Sequence, residues 1–135
     1  MKRVLVFGTF DVLHPGHLHF LKAAKKLGDF LMVSLARDVN VKKIKGHKAW
    51  HTEKDRQSLV ASLKLVNRAV LGSKDNYIKH IVSLKPDIIA LGYDQSAFTE
   101  NLKEKLAKAG LTRIKIMRLK PYKPRLYKSS KFVFL

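Results

Sequence analysis

Apolar residues gather in five short stretches, "RVLVF" (3–7), "FLMVSLA" (30–36), "RAVL" (68–71), "DIIALG" (87–92) and "RIKIMRL" (113–119). The second and fourth are almost unbroken apolar runs, the pattern of strands covered on both faces of a sheet. Between the stretches the apolar spacing takes the helical period. "HLHFLKAAKKLGD" (17–29) is the first such segment, with Gly28 as its expected C-cap. "TEKDRQSLVASLKLV" (52–66) opens on Thr52 as N-cap, with Asp55 three residues on. "DNYIKHIVSL" (75–84) and "SAFTENLKEKLAKAG" (96–110), the latter stopped by Gly110, complete the set. Strand and helix alternate throughout, which predicts one α/β domain over 1–135, built on a parallel sheet with right-handed crossovers. In such sheets ligands bind beyond the carboxyl ends of the strands, near the point where strand order reverses.

That rule singles out "GTFDVLHPGH" (8–17), which lies at the exit of the first strand and the start of the first helix. Pro15 fits a first helical turn, where a missing N–H is no loss. Gly8 and Gly16 let the backbone approach a ligand closely. Amides at Thr9–Phe10 and Gly16–His17 are placed to hold an anion at a helix start. His14 and His17 stand one helical turn apart, so their rings can converge on that anion. A metal held by the two imidazoles is the competing reading, but no Glu or Cys stands near enough in sequence to complete its ligand set. His19 lies two positions beyond His17 and points elsewhere, so it is read as a surface residue. His47, His51 and His80 show no partner in the sequence and are read the same way.

The motif resembles the H-x-G-H signature of the cytidylyltransferase-like nucleotidyltransferases, with Gly, Phe-Asp, His and Gly-His all at that family's spacing. The resemblance runs on through "LGD" (27–29), "ARDVNVKKIKG" (36–46), "DRQSLVASLKLVNRAVLGS" (55–73), "KPDIIALGYDQ" (85–95) and "SSK" (129–131), about the full domain. Within the superfamily, "ARD", "IKG", "LGS", "KPDIIALGYDQ" and "SSK" are most similar to archaeal FAD synthetases, which are FMN adenylyltransferases. Glycerol-3-phosphate cytidylyltransferase is the close relative. Its closing motif, R-T-x-G-[IV]-S-[TS], corresponds here to "KPRLYKSS" (123–130), which lacks the threonine and the glycine and keeps Arg125, Ser129 and Ser130. The resemblance implies a Rossmann-like, doubly wound, parallel five-stranded sheet flanked by helices, and a homodimer. It also implies transfer of a nucleoside monophosphate from a triphosphate to a phosphorylated acceptor, with release of pyrophosphate and with Mg²⁺ or another divalent cation.

The reaction suits the residues. The nucleophile is already a phosphate anion, so no serine or cysteine needs activating; the site must instead hold donors and cations around phosphorus before the reaction begins. His14 and His17 would donate to phosphate oxygens, and a reference pKa of about 6.5 allows either to be protonated there. Lys45 is the third candidate catalytic residue. With Lys48 it lies in a stretch resembling the family's flexible substrate loop. Gly8, Thr9, Phe10, Pro15 and Gly16 frame the nucleotide, although an aromatic after a strand, such as Phe10, is commonly core. Arg37, Lys48 and Arg125 are assigned to the acceptor. Asp94 resembles the residue that contacts base or ribose, its alternative being a turn aspartate. Tyr122 stacks near a ring or only packs. Ser129 and Ser130 cap the last helix and bind phosphates if that helix points at them. Asp11 either binds Mg²⁺ or orients its loop.

Charge and composition narrow the choice of partner. Lys and Arg number 28 against 10 Asp and Glu, a formal +18, enough to attract any polyanion. Aromatics do not interleave with the basic segments as single-strand stacking requires, so a solvated coat of lysines is preferred to a specific nucleic-acid surface. Cysteine is absent, which excludes thiol catalysis and fits a reducing, cytoplasmic setting, and no apolar run reaches the length of a membrane span. The stretches after the second and fifth strands, 37–51 and 120–128, are basic and carry Trp50, Tyr122 and Tyr127. Glycerol 3-phosphate, phosphocholine or a sugar phosphate has no use for aromatic faces, whereas the isoalloxazine of FMN does. FMN with ATP is therefore the expected pair, and a small phosphate the alternative.

Overall fold

Strand β1 (Arg3–Gly8) is the axis of the sheet, with β2 (Phe30–Leu35) parallel on one side and β4 (Ile88–Leu91) parallel on the other. The computed structural model describes residues 1–93, 95 and 101–120. Outside the central three lie β3 (Arg68–Leu71) against β2 and β5 (Lys115–Arg118) against β4, giving the all-parallel order β3-β2-β1-β4-β5. Val4, Leu5 and Val6 of β1 are wholly buried, as an apolar run covered on both faces requires. Each such side chain contributes about 1.5–3 kcal/mol relative to exposure.

The two faces follow from the two-residue period of β1. Val4 and Val6 pack with Leu21 and Ala24 of α1 (Pro15–Lys25) and with Val60 of α3 (Glu53–Ala61). Leu5 and Phe7 face the other way, onto Ile81 and Leu84 of α4 (Tyr77–Leu84) and Leu102 and Leu106 of α5 (Leu102–Lys108). α1 and α3 thus cover one face, and α4 and α5 the other. The order reverses between β1 and β4, where the carboxyl ends of adjacent strands part to opposite sides.

Several boundaries differ from the sequence expectation. α1 stops at Lys25 and Gly28 is no C-cap: Lys26 caps the helix in a right-handed conformation. Gly28 is needed for space, since a Cβ there would lie 2.7 Å from the Lys2 carbonyl oxygen, where the chain turns back into β2. The 52–66 segment is helical only to Ala61. Its apolar rhythm continues because the following turns also pack on the core, through Leu63 and buried Val66. Thr52 does cap α3, accepting from the Asp55 N–H at 3.2 Å, and Gly110 follows α5 at φ 87°. Within the 37–51 stretch, read as a substrate loop, stands an unexpected helix, α2 (Asp38–Lys45). Only Val41 of it is buried, so its apolar stripe is too thin to read, yet Gly46 at φ 77° closes it and three lysines complement its last turn. No described helix is long and apolar enough to cross a membrane.

Candidate active site

At the reversal point the chain leaves β1 through a strained corner. Phe10 has φ 51°, uncommon for a bulky side chain, and is 4% exposed. Its ring lies under Gly8, where a Cβ would come within 2.5 Å of Phe10 Cε2, so glycine is required for close approach. The same ring meets His17 edge-on, with centroids 5.4 Å apart. Phe10 is therefore core that supports a histidine, and it keeps little surface for a base.

The histidine pair builds the start of α1 itself. His14 is the N-cap, its Nδ1 accepting from the Gly16 N–H at 3.1 Å, while His17 Nδ1 accepts from the His14 N–H at 3.3 Å. This is a reciprocal capping box made of imidazoles. The rings stack with centroids 3.9 Å apart and planes 24° from parallel. The His17 and Leu18 amides donate to the His14 carbonyl, and Pro15 has no N–H to give. Hence the amides of Gly16 and His17, expected to cradle phosphate, already have acceptors inside the motif. Because each Nδ1 accepts, the neutral ring of each histidine carries its proton on Nε2.

Both rings are neutral. Burial lowers the pKa of His17 to about 3, with the charges of His14 and Lys45 acting the same way and a hydrogen bond with the Val12 backbone opposing them. Burial also lowers that of His14. In the free protein the charge acting on His17 is that of Lys45, the last residue of α2, whereas the expected protonation was of a ring beside bound polyphosphate, a different state. The three candidate catalytic residues are thus brought together.

Asp11, 9% exposed, orients its surroundings. Its carboxylate accepts the Trp50 N–H at 2.6 Å and the His51 N–H at 2.8 Å. His51 Nδ1 lies 2.8 Å from the Asp11 carbonyl and 3.2 Å from its carboxylate, two acceptors, so this nitrogen carries a proton. His51 is exposed, as expected, but it is not unpartnered: these bonds tie it to the site. His80, unlike His51, is half-buried, with Nε2 2.8 Å from Ser34 Oγ, and burial followed by the charges of Arg37 and Arg68 lowers its pKa. His19 and His47 are exposed, as expected.

Behind the motif runs a polar network that the sequence reading missed. Arg56 of α3 is wholly buried. It donates to the carbonyls of Thr9 (3.0 Å) and His51 (3.1 Å) and to the Asp38 carboxylate (2.7 Å). Asp38 and Glu53 cap each other's backbone N–H, and Arg37 reaches Glu53 at 3.0 Å and the Gly72 carbonyl at 2.7 Å. Burial opposes ionisation of Asp38, but the hydrogen bonds from Arg56 and the Glu53 backbone outweigh it and hold its carboxyl below the usual range. The Asp38 backbone, helped by Arg37, does the same for Glu53. One clue was legible: Arg56 lies four residues before Val60, on the stripe of α3 that faces the core.

Across the reversal point, Gln95 Nε2 donates to the Phe7 carbonyl at 2.8 Å and its Oε1 accepts from the Gly92 N–H at 2.7 Å, tying the ends of β1 and β4 together. Arg118 of β5 holds the Gly92 and Gln95 carbonyls. Lys48 is exposed near the end of the segment after α2. Asp94, Tyr122, Arg125, Tyr127, Ser129 and Ser130 lie outside the described residues.

The family model described as Cytidylyltransferase-like matches residues 5–133. The FAD synthase of Aciduliprofundum boonei is 48% identical over 122 residues, covering 90% of this chain and 80% of that protein. The FAD synthase of Thermoplasma volcanium is 44% identical over 130 residues, covering 96% and 90%. Among solved structures, the lipopolysaccharide core biosynthesis protein from Thermoplasma volcanium aligns with a TM-score of 0.84 at 44% identity, over 90% of this chain and 98% of that one. Pantoate-beta-alanine ligase from Francisella tularensis shares the fold, with a TM-score of 0.59 at 17% identity, over 97% of this chain and 67% of that one.

Proposed function

This chain belongs to the cytidylyltransferase-like family, and we propose that it is an FMN adenylyltransferase, making FAD and pyrophosphate from FMN and ATP. The observation that carries the reaction type is the stacked, neutral histidine pair beside Lys45 at the strand-order reversal. The choice of acceptor draws its support from the FAD synthases that are 44–50% identical to this chain.

A phosphate oxygen of FMN forms its bond to the α-phosphorus of ATP as the bond to the bridging oxygen breaks. Pyrophosphate leaves with that electron pair. The nucleophile arrives ionised, so the protein moves no proton from it. His14 supplies an Nε2–H donor for an oxygen that gains charge in the transition state, His17 supplies its own on exchanging the Val12 backbone for such an oxygen, and Lys45 supplies the cation. Their value lies in being fixed beforehand, by the capping bonds and by Phe10 beneath. Trp50, 57% exposed and held by its backbone to Asp11, is the aromatic surface we assign to isoalloxazine.

We place the divalent cation with the nucleotide. Among the described residues no three His, Asp or Glu converge as a resident metal site would require, whereas Mg²⁺ is commonly held through substrate phosphates with one or two carboxylates. When bound it neutralises phosphate charge, and Asp11 is the carboxylate of the motif.

The test is a matrix of ATP and CTP against FMN, glycerol 3-phosphate and sugar phosphates, read by pyrophosphate release and FAD absorbance. The sugar phosphates are included because the Thermoplasma structure is named for lipopolysaccharide core biosynthesis. FAD from ATP and FMN is expected. Absence of FMN binding at micromolar concentrations, with turnover of CTP and a small phosphate, would overturn the reading.

A further inference from the structure

Arg56 hydrogen-bonds neither His14 nor His17, yet three separate parts of the site converge on it. Its Nη1 holds the Thr9 carbonyl in the motif, its Nε the His51 carbonyl next to Trp50, and its Nη2 the Asp38 carboxylate in the first turn of α2. The guanidinium has no solvent exposure. A buried cation is retained only where hydrogen bonds and a counter-charge satisfy it, and one planar fork meeting three acceptors leaves little room for another arrangement. The far end of the same segment is fixed by Asp11, through Trp50 and His51. α2 is thus bracketed at both ends, and Lys45 at its last turn is thereby held close enough for its charge to act on His17.

We propose that Arg56 is a positioning residue for transfer: it holds α2 and the Trp50 segment against the histidine motif, so that Lys45 and the histidine pair address the same phosphates. The activity readout rests on the adenylyltransferase reading; the other readouts do not.

The experiment compares wild type with Arg56→Lys, which keeps the charge and loses the fork. Loss of placement should cost about 10²-fold in kcat, with KM for ATP changing by less than about threefold, since ground-state binding is retained. Time-resolved anisotropy should show Trp50 gaining local motion, with or without substrates. In Arg56→Ala, methylguanidinium should restore kcat saturably, by about tenfold or more, while urea at equal concentration should not. Should Arg56→Ala fail to fold, Asp38→Asn, which removes the counter-charge, should show the same division between kcat and KM. The proposal fails if folded Arg56→Lys keeps kcat within about twofold or loses activity only through KM. It also fails if Trp50 motion is unchanged. If wild type makes no FAD, the FMN reading falls, and Trp50 motion in Arg56→Lys alone decides the role of Arg56.

Discussion

Replacing His17 by glutamine separates its titration from its structural role. Glutamine at the third helical position can still accept the His14 N–H, as in capping boxes built from Ser/Thr and Glu/Gln, but cannot titrate. Burial depresses the folded pKa of His17 from its ordinary 6.5 to about 3. Between those values the unfolded chain binds a proton that the folded chain refuses. The stability gained by keeping the ring neutral is therefore complete above the unfolded value and drains away as pH falls towards the folded one. One proton corresponds to a slope of at most about 1.4 kcal/mol per pH unit. From pH ~6.5 to ~5, wild type should lose about 1.6 kcal/mol that His17→Gln keeps, since the unfolded ring is only half protonated at the upper value. His80, whose pKa is also lowered, adds a slope of the same sign to both proteins and cancels, so the difference reports His17 together with its stacked neighbour His14. Urea unfolding across this pH range measures it, and a gap that does not change with pH would refute a buried neutral His17.

His14→Ala and His17→Ala should each lose about 10²–10³ in kcat, with nucleotide Kd far less affected, because the charge they meet is greatest in the transition state; equal loss in binding with kcat intact would assign them to the ground state instead. Gly28→Ala should cost about 1–3 kcal/mol by thermal unfolding, because its Cβ would press on the Lys2 carbonyl; an unchanged Tm would show that the β2 entry relaxes freely. FMN should quench the emission of Trp50, the single tryptophan; binding without quenching would move the isoalloxazine elsewhere.

The sheet was legible because its signal is collective. Many apolar residues report the same strand, and no single residue of β1 or β2 is needed to recognise it. The motif was legible for a different reason: Gly8, Pro15 and the two histidines each exclude ordinary strand or helix interiors. α2 was not legible, since Val41 is its sole buried side chain and its lysines read equally well as a charged loop. The partners of Asp11, Arg56 and His80 were hidden because they are tertiary. Asp11 and His51 are forty residues apart, and nothing in local periodicity says which carbonyl a buried guanidinium will find. Composition also misled: a chain with 28 basic residues makes any one lysine or arginine easy to dismiss as coat.

The site divides its electrostatic work according to what burial permits. An imidazolium under Phe10 would carry the desolvation penalty of a charge on top of repulsion from Lys45 and from its stacked neighbour. The fold leaves both rings uncharged there, with geometry set by two backbone N–H groups. The positive charge stands instead on the last turn of α2, a helix end that favours a cation. Neutral donors can be buried and rigid, whereas an ammonium on a flexible four-carbon stem keeps its solvation. That arrangement works only while the helix bearing the ammonium stays registered to the rings, which share no strand or helix with it. Arg56 and Asp11 span that gap, and this explains why a site for an anionic substrate spends a buried arginine on carbonyl oxygens and an aspartate on its own backbone.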